Sequence, residues 1–183
     1  GFFHIPVEHL HGRNVLCERI QQMQIDDLVV CSPDVGFAKS ATEYAHLLGV
    51  PVVIGNKVRV DHTETAHIME VIGEVEGKNV LLVDDFTITG RTLIAMAEVL
   101  KRRGAKDIYA AITHGCLAAG TAERIGSSPI KKLLVTDTIE TAIEPLPGNV
   151  EVVTVADVFA IAIRSIHERT SVSSLFTDRL SES

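Results

Sequence analysis

The stretch Leu81-Leu82-Val83-Asp84-Asp85-Phe86-Thr87-Ile88-Thr89-Gly90-Arg91-Thr92-Leu93 decides how this chain is read. It opens within an apolar run, Val80 to Val83, whose composition suits a strand buried on both faces. Two carboxylates follow, then a Thr/Gly turn. Helical spacing takes over across 92–103, with Leu93, Ala97 and Leu100 on one face and Gly104 as the stop. A buried strand that turns directly into a helix is half of a βαβ unit. The same alternation recurs in both directions along the chain.

Upstream, Val15, Leu16, Arg19 and Ile20 have the spacing of a short amphipathic helix, after an ordered loop over 1–12. Leu28-Val29-Val30-Cys31 reads as a strand stopped by Ser32-Pro33, and 36–48 as a helix ended by Gly49. Pro51-Val52-Val53-Ile54 is a further strand. The polar stretch 55–66 reads as a long loop, and 68–75 as extended structure. Downstream come a strand over 108–113 ending at His114-Gly115, a short helix over 120–125, and strands over 132–135 and 150–155. A last helix over 157–168 has Phe159, Ile163 and Ile166 on its expected buried side. The pattern predicts an α/β fold, a parallel sheet of βαβ units flanked by helices, in a single domain spanning 1–183.

Composition narrows the function classes. The chain has 183 residues, with 24 acids against 17 Lys and Arg, for a net charge of −7. That balance argues against a generic nucleic-acid or anionic-membrane surface. Aromatic residues are 4% and Trp is absent, so the core must be aliphatic. No apolar run reaches the roughly 18 residues of a membrane span, and no signal peptide is visible. The three cysteines, Cys17, Cys31 and Cys116, are widely spaced and read as reduced thiols of a cytoplasmic protein. Cys116 has no base arrangement that would make it a nucleophile. His4, His9 and His11 lack regular metal-ligand spacing and read as loop histidines near an interface.

In a parallel sheet, ligands gather outside the carboxyl ends of the strands. Three strand ends carry polar groups there: Ser32-Pro33-Asp34 with Gly36, Asp84-Asp85, and Thr113-His114-Gly115. At the second, the backbone N–H groups of residues 89–92 are free at a helix start, where the dipole favours an anion. The hydroxyls of Thr89 and Thr92 add donors. Such a turn suits a phosphate monoester, while Asp84 and Asp85 are placed to accept hydrogen bonds from sugar hydroxyls. The plain alternative is a capped helix after an acidic strand end, with Thr92 or Thr89 as N-cap.

The pattern Asp84-Asp85-x-x-x-Thr89-Gly90-x-Thr92 after an apolar strand resembles the signature of type I phosphoribosyltransferase folds. Within that group it is most similar to ribose-phosphate pyrophosphokinases, the phosphoribosyl pyrophosphate (PRPP) synthetases. Supporting pieces follow in the family's order: Gly1-Phe2-Phe3 with Ile5-Pro6-Val7, Ser32-Pro33-Asp34-Val35-Gly36, and Lys57 with Arg59. Gly73-Glu74-Val75-Glu76-Gly77-Lys78, Thr113-His114-Gly115, Thr136-Asp137-Thr138 and Ser171-Val172-Ser173-Ser174-Leu175-Phe176 complete them. The resemblance implies transfer of the pyrophosphoryl group of ATP to the 1-hydroxyl of ribose 5-phosphate, giving PRPP and AMP. It implies that Asp84 and Asp85 hold the ribose hydroxyls and that Thr89, Gly90, Arg91 and Thr92 cradle the 5-phosphate. Lys57 would be the catalytic lysine and Arg59 its partner, on a loop that closes over the phosphates. Asp34 would contact Mg²⁺, with Gly36 allowing close backbone approach. A cytoplasmic homo-oligomer, from dimer to hexamer, is implied as well.

The sequence departs from the family pattern at Ile88, where a second acid is usual, at Arg91 and Phe37, where small residues are usual, and at Ser40, often Arg. The resembled enzymes have two similar halves, and Gly1-Phe2-Phe3 corresponds to the middle of such a chain. The expectation is therefore a C-terminal domain whose ATP-contributing partner half is missing, with little synthetase activity alone. Two other readings remain: a phosphoribosyltransferase using PRPP as donor, and a non-catalytic sugar-phosphate-binding paralogue.

Overall fold

A computed structural model describes residues 4–5, 7–59, 67–140 and 146–172. In chain order the elements are α1 (Arg13–Gln22), β1 (Leu28–Ser32), α2 (Ala38–Leu48), β2 (Val52–Arg59), β3 (His67–Ile72), β4 (Asn79–Thr87), α3 (Arg91–Arg102), β5 (Ile108–Gly115), α4 (Thr121–Gly126), β6 (Ile130–Thr136), β7 (Val150–Val153) and α5 (Ala156–His167). They build a seven-stranded sheet of order β3-β2-β1-β4-β5-β6-β7. Every neighbouring pair is parallel except β2 and β3.

The apolar runs become strands because the sheet is covered on both sides. All of β1 is buried, as are the first five residues of β4 and of β5. Side chains alternate between faces with a period of two. Val29, Cys31, Val80, Leu82 and Ala110 therefore pack with Leu93, Met96, Ala97 and Leu100 of α3. Leu28, Val30, Leu81, Val83 and Ala111 pack instead with Leu16 and Ile20 of α1 and Ala41 and Tyr44 of α2. Glu151 of β7 joins Arg19 of α1 at 2.5 Å and Lys132 of β6 at 2.6 Å. The Arg19 hydrogen bond, then that of Lys132, pulls the Glu151 carboxyl down to about 2. Burial instead pushes the Cys17 and Cys31 thiols up to about 12, which keeps both protonated.

From β1 the chain moves outward to β2 and β3, then returns to lay β4 on the other side of β1. This reversal opens a crevice at the carboxyl ends of β1 and β4.

Three expectations are corrected. Residues 55–59 are not loop: β2 continues to Arg59 and pairs antiparallel with β3, from Ile54 with Ile72 to Arg59 with His67. Backbone hydrogen bonds hold such a pair, so the strand needs no apolar run to announce it. Lys57 and Arg59 consequently stand on this strand rather than on a loop, and residues 60–66 lie outside the described residues. The strand expected over 150–155 ends at Val153. On α5, Phe159, Ile163 and Ile166 are not buried but 49%, 65% and 61% exposed, and Ala162 is the buried residue. The helix follows β7, and among the described residues no further strand lies beyond β7 to receive the apolar stripe. Of the expected N-terminal loop, residues 1–3 and 6 lie outside the described residues, as do residues 173–176 of the serine-rich run.

This partition predicts a contrast in urea unfolding. Leu82→Ala, at a fully buried site between layers, is expected to cost about 2–5 kcal/mol. Ile163→Ser is expected to change stability by less than about 0.5 kcal/mol in the same chain, as for an exposed position.

Candidate functional site

The crevice is built from strand ends. β1 delivers residues 33–37, whose Asp34 Oδ1 accepts the Phe37 N–H at 3.0 Å. Gly55 of β2 lets this loop close down: a Cβ there would stand 2.7 Å from the Pro33 carbonyl oxygen and 2.8 Å from that of Ser32. β4 delivers Asp84 and Asp85. Because β2 runs parallel to β1, with Ile54 level with Ser32, its continuation rises past the carboxyl end of β1. Lys57 and Arg59 lie about 10 and 17 Å further along the strand.

The two carboxylates have different surroundings. Asp85 is exposed, and its N–H donates to Asp84 Oδ1 at 3.0 Å, while Asp85 Oδ1 accepts the Phe86 N–H at 2.8 Å. Asp84 is half-buried, and that burial chiefly raises its carboxyl to about 7. The Asp85 N–H opposes the rise, and the neighbouring charges of Asp85 and Asp34 add to it. At neutral pH Asp84 thus divides between a hydrogen-bond-donating acid and an accepting carboxylate. Phe86 and Ile88, at 52% and 50% exposure, give the tip an apolar rim.

The turn after β4 is closed without a side-chain cap. Gly90 is the N-cap of α3, with φ of +67°, and its N–H donates to the Thr87 hydroxyl at 3.2 Å. The N-cap is thus Gly90, not Thr89 or Thr92 as the capped-helix alternative expected. Among the described residues their hydroxyls make no hydrogen bond, and Thr89, Arg91 and Thr92 are exposed. The helix start therefore faces solvent with free donors, beside the carboxylates. The structure brings Asp34, Asp84, Asp85 and residues 89–92 to one edge of the sheet. It places Lys57 and Arg59 beyond that edge on β2.

A cavity of 780 Å³ adjoins Asp85 on the α1 and α2 side of the sheet, lined by His9, His11, Phe37, Lys39 and His114 among others. The rings of His9 and His11 lie tilted to one another with centroids 4.7 Å apart. Among the described residues no group of three or more potential ligands is placed to hold a metal ion by itself. Sequence reading did not single out Thr121 and Arg124, which bond to the turn from α4. Their signal was absent because the contact spans 33 and 35 residues of chain.

Asp84 makes stability pH-dependent in a definite direction. Its folded pKa, about 7, lies above the ordinary 3.8, so between these values the folded state holds a proton that the unfolded state has released. Stability is expected to fall as pH rises from about 4 to about 7. Thermal melts of Asp84→Asn across that window should lack this component of the slope.

Comparison with known proteins places these features in context. Residues 56–177 match the family model described as the phosphoribosyl synthetase-associated domain. The chain is similar to a ribose-phosphate pyrophosphokinase of Caldanaerobacter subterraneus subsp. tengcongensis, 43% identical over 97% of this chain and 56% of the relative. It is similar to that of Aquifex aeolicus, 42% identical over 97% of this chain and 57% of the relative. Among solved structures, phosphoribosylpyrophosphate synthetase from Mycobacterium smegmatis superposes with a TM-score of 0.83 at 32% identity, over 92% of this chain and 54% of that one. The chain thus spans about half the length of the curated relatives it matches.

Proposed function

Because the chain belongs to the phosphoribosyl synthetase-associated domain family, we propose that it is the ribose-5-phosphate-binding part of a ribose-phosphate pyrophosphokinase. In the whole enzyme, the 1-hydroxyl oxygen of ribose 5-phosphate attacks the β-phosphorus of ATP. The bond between that phosphorus and the α–β bridging oxygen breaks, the hydroxyl proton is released, and PRPP and AMP result. The observation that carries this reading is the juxtaposition at the end of β4: two adjacent carboxylates, one half-buried and one exposed, followed at once by a helix start without a side-chain cap.

Each part has a role in that reaction. The 5-phosphate sits on the turn, held by backbone N–H groups of residues 89, 91 and 92, the hydroxyls of Thr89 and Thr92, and Arg91, while Gly90, whose own N–H goes to Thr87, supplies the backbone bend. Asp84 and Asp85 take the ribose hydroxyls and fix the orientation of the 1-hydroxyl. Lys57 and Arg59, carried on β2 beyond the crevice, neutralise charge developing on the transferring phosphates. Asp34 fits Mg²⁺: one carboxylate oxygen is held by Phe37, and Mg²⁺ is commonly bound by one or two carboxylates together with substrate phosphates. Bound there, Mg²⁺ supplies charge neutralisation at the phosphate oxygens. ATP as co-substrate, a homo-oligomeric state and a cytoplasmic location follow from the same family reading.

Ile88 favours a second reading. Half-exposed beside the carboxylates, it offers the sugar no acceptor, which suits a sugar-phosphate-binding relative without turnover. The two readings share the cradle and differ in AMP production by the full-length protein.

Calorimetric titration with ribose 5-phosphate and Mg²⁺, in buffer free of phosphate and sulfate, tests the cradle. Saturable binding is expected, weakened about tenfold or more by Asp85→Asn or Thr92→Val, as for loss of a hydrogen bond to a charged group. Absence of saturable binding to the unsubstituted chain would contradict the assignment.

A further inference from the structure

We propose that Arg124 is a positioning residue for the anion-binding turn, acting partly through the hydroxyl of Thr121. The inference rests on the reading of residues 87–92 as a phosphate cradle. Three consecutive carbonyls of that turn are held from one side. The Cys116 N–H donates to the Thr87 oxygen at 3.0 Å, and the Ala118 N–H to the Ile88 oxygen at 2.9 Å. The Thr121 hydroxyl also donates to the Ile88 oxygen, at 3.1 Å. Arg124 Nη2 donates to the Thr89 oxygen at 3.2 Å and to Thr121 Oγ1 at 2.9 Å.

In a trans peptide the N–H points opposite to the C=O of the same unit. Fixing the carbonyls of Thr87, Ile88 and Thr89 toward α4 therefore aims the N–H groups of Ile88, Thr89 and Gly90 away from it. Thr87 takes the Gly90 N–H, and those of Ile88 and Thr89 are left facing the cradle. A hydroxyl has one proton to give, and the bond accepted from Arg124 directs the Thr121 proton at Ile88. Thr121 is fully buried, so its rotor has no competing water. Gly120 lets the guanidinium fold back, since a Cβ there would come within 3.2 Å of Arg124 Nη1. Among the described residues Arg124 makes no ion pair, so its donors serve the turn. Without Arg124 the peptide between Thr89 and Gly90 keeps only the bond from its N–H to the Thr87 hydroxyl and loses the restraint on its carbonyl. Its rotation would bring a carbonyl oxygen toward the bound phosphate, which repels it.

The test is calorimetric titration of ribose 5-phosphate into the unsubstituted chain, Arg124→Ala, Arg124→Lys, Thr121→Val and the Arg124→Ala/Thr121→Val double variant. Arg102→Ala, at the far end of α3, is the control and should bind as the unsubstituted chain does. Arg124→Ala is expected to weaken binding about tenfold. Arg124→Lys should recover most of that loss, because an ammonium can still donate to the Thr89 carbonyl. The double variant should be no weaker than Arg124→Ala by more than about twofold, the non-additivity expected of residues in one network. Unchanged binding by Arg124→Ala would overturn the inference and leave the cradle standing. A loss that Lys does not reduce and that adds fully to that of Thr121→Val would overturn it too. No binding by the unsubstituted chain would bring down the cradle itself, and the inference with it.

Discussion

Between the buried strand β4 and helix α3 the chain has only residues 88–90 in which to turn, and the carbonyls of residues 87–89 are held from a single side. The donors come from residues 116–124, which follow β5, the strand lying in parallel register with β4 from Val80 to Thr87. The core of the sheet thus sets the distance between the turn and the segment that shapes it. Alternating burial on β4 locks its register, because a slip of one residue would exchange the α3-facing and α2-facing side chains. The same register decides which atoms of residues 87–90 are free to meet a ligand.

The site joins opposite electrostatic demands within a few residues. A helix start favours an anion, while two carboxylates immediately before it repel one. Partial burial of Asp84 moderates the conflict, since a carboxyl near 7 carries less than a full charge at neutral pH. A sugar phosphate suits this arrangement, with its charge at one end and neutral hydroxyls at the other. The cations expected to act on further phosphates, Lys57 and Arg59, stand apart on β2, whose pairing with β3 carries them beyond the carboxyl edge.

Most of the sheet was legible because its strands are buried on both faces and appear as unbroken apolar runs, as at Leu28 to Cys31 and Val80 to Val83. Gly49, with φ of +67°, ends α2 as its position suggested. The end of β2 was not legible: Gly55, Asn56 and Lys57 continue the strand through backbone pairing, which leaves no hydrophobic trace. The stripe of Phe159, Ile163 and Ile166 was correctly seen as helical in spacing and wrongly assigned to the core. Periodicity reveals an apolar face but not what lies against it. The carboxylates and the Thr/Gly turn are contiguous and could be read directly. The bonds from Thr121 and Arg124 join residues 33 and 35 positions apart, and only the fold brings them together.

The most direct measurement is a backbone amide chemical-shift titration with ribose 5-phosphate, run beside ribose alone. Largest shifts at the amides of residues 88–92, saturating with ribose 5-phosphate and absent with ribose, are the predicted result. Shifts centred instead on the cavity of His9 and His11, or none at the turn, would contradict the assignment of the β4–α3 turn as the phosphate site.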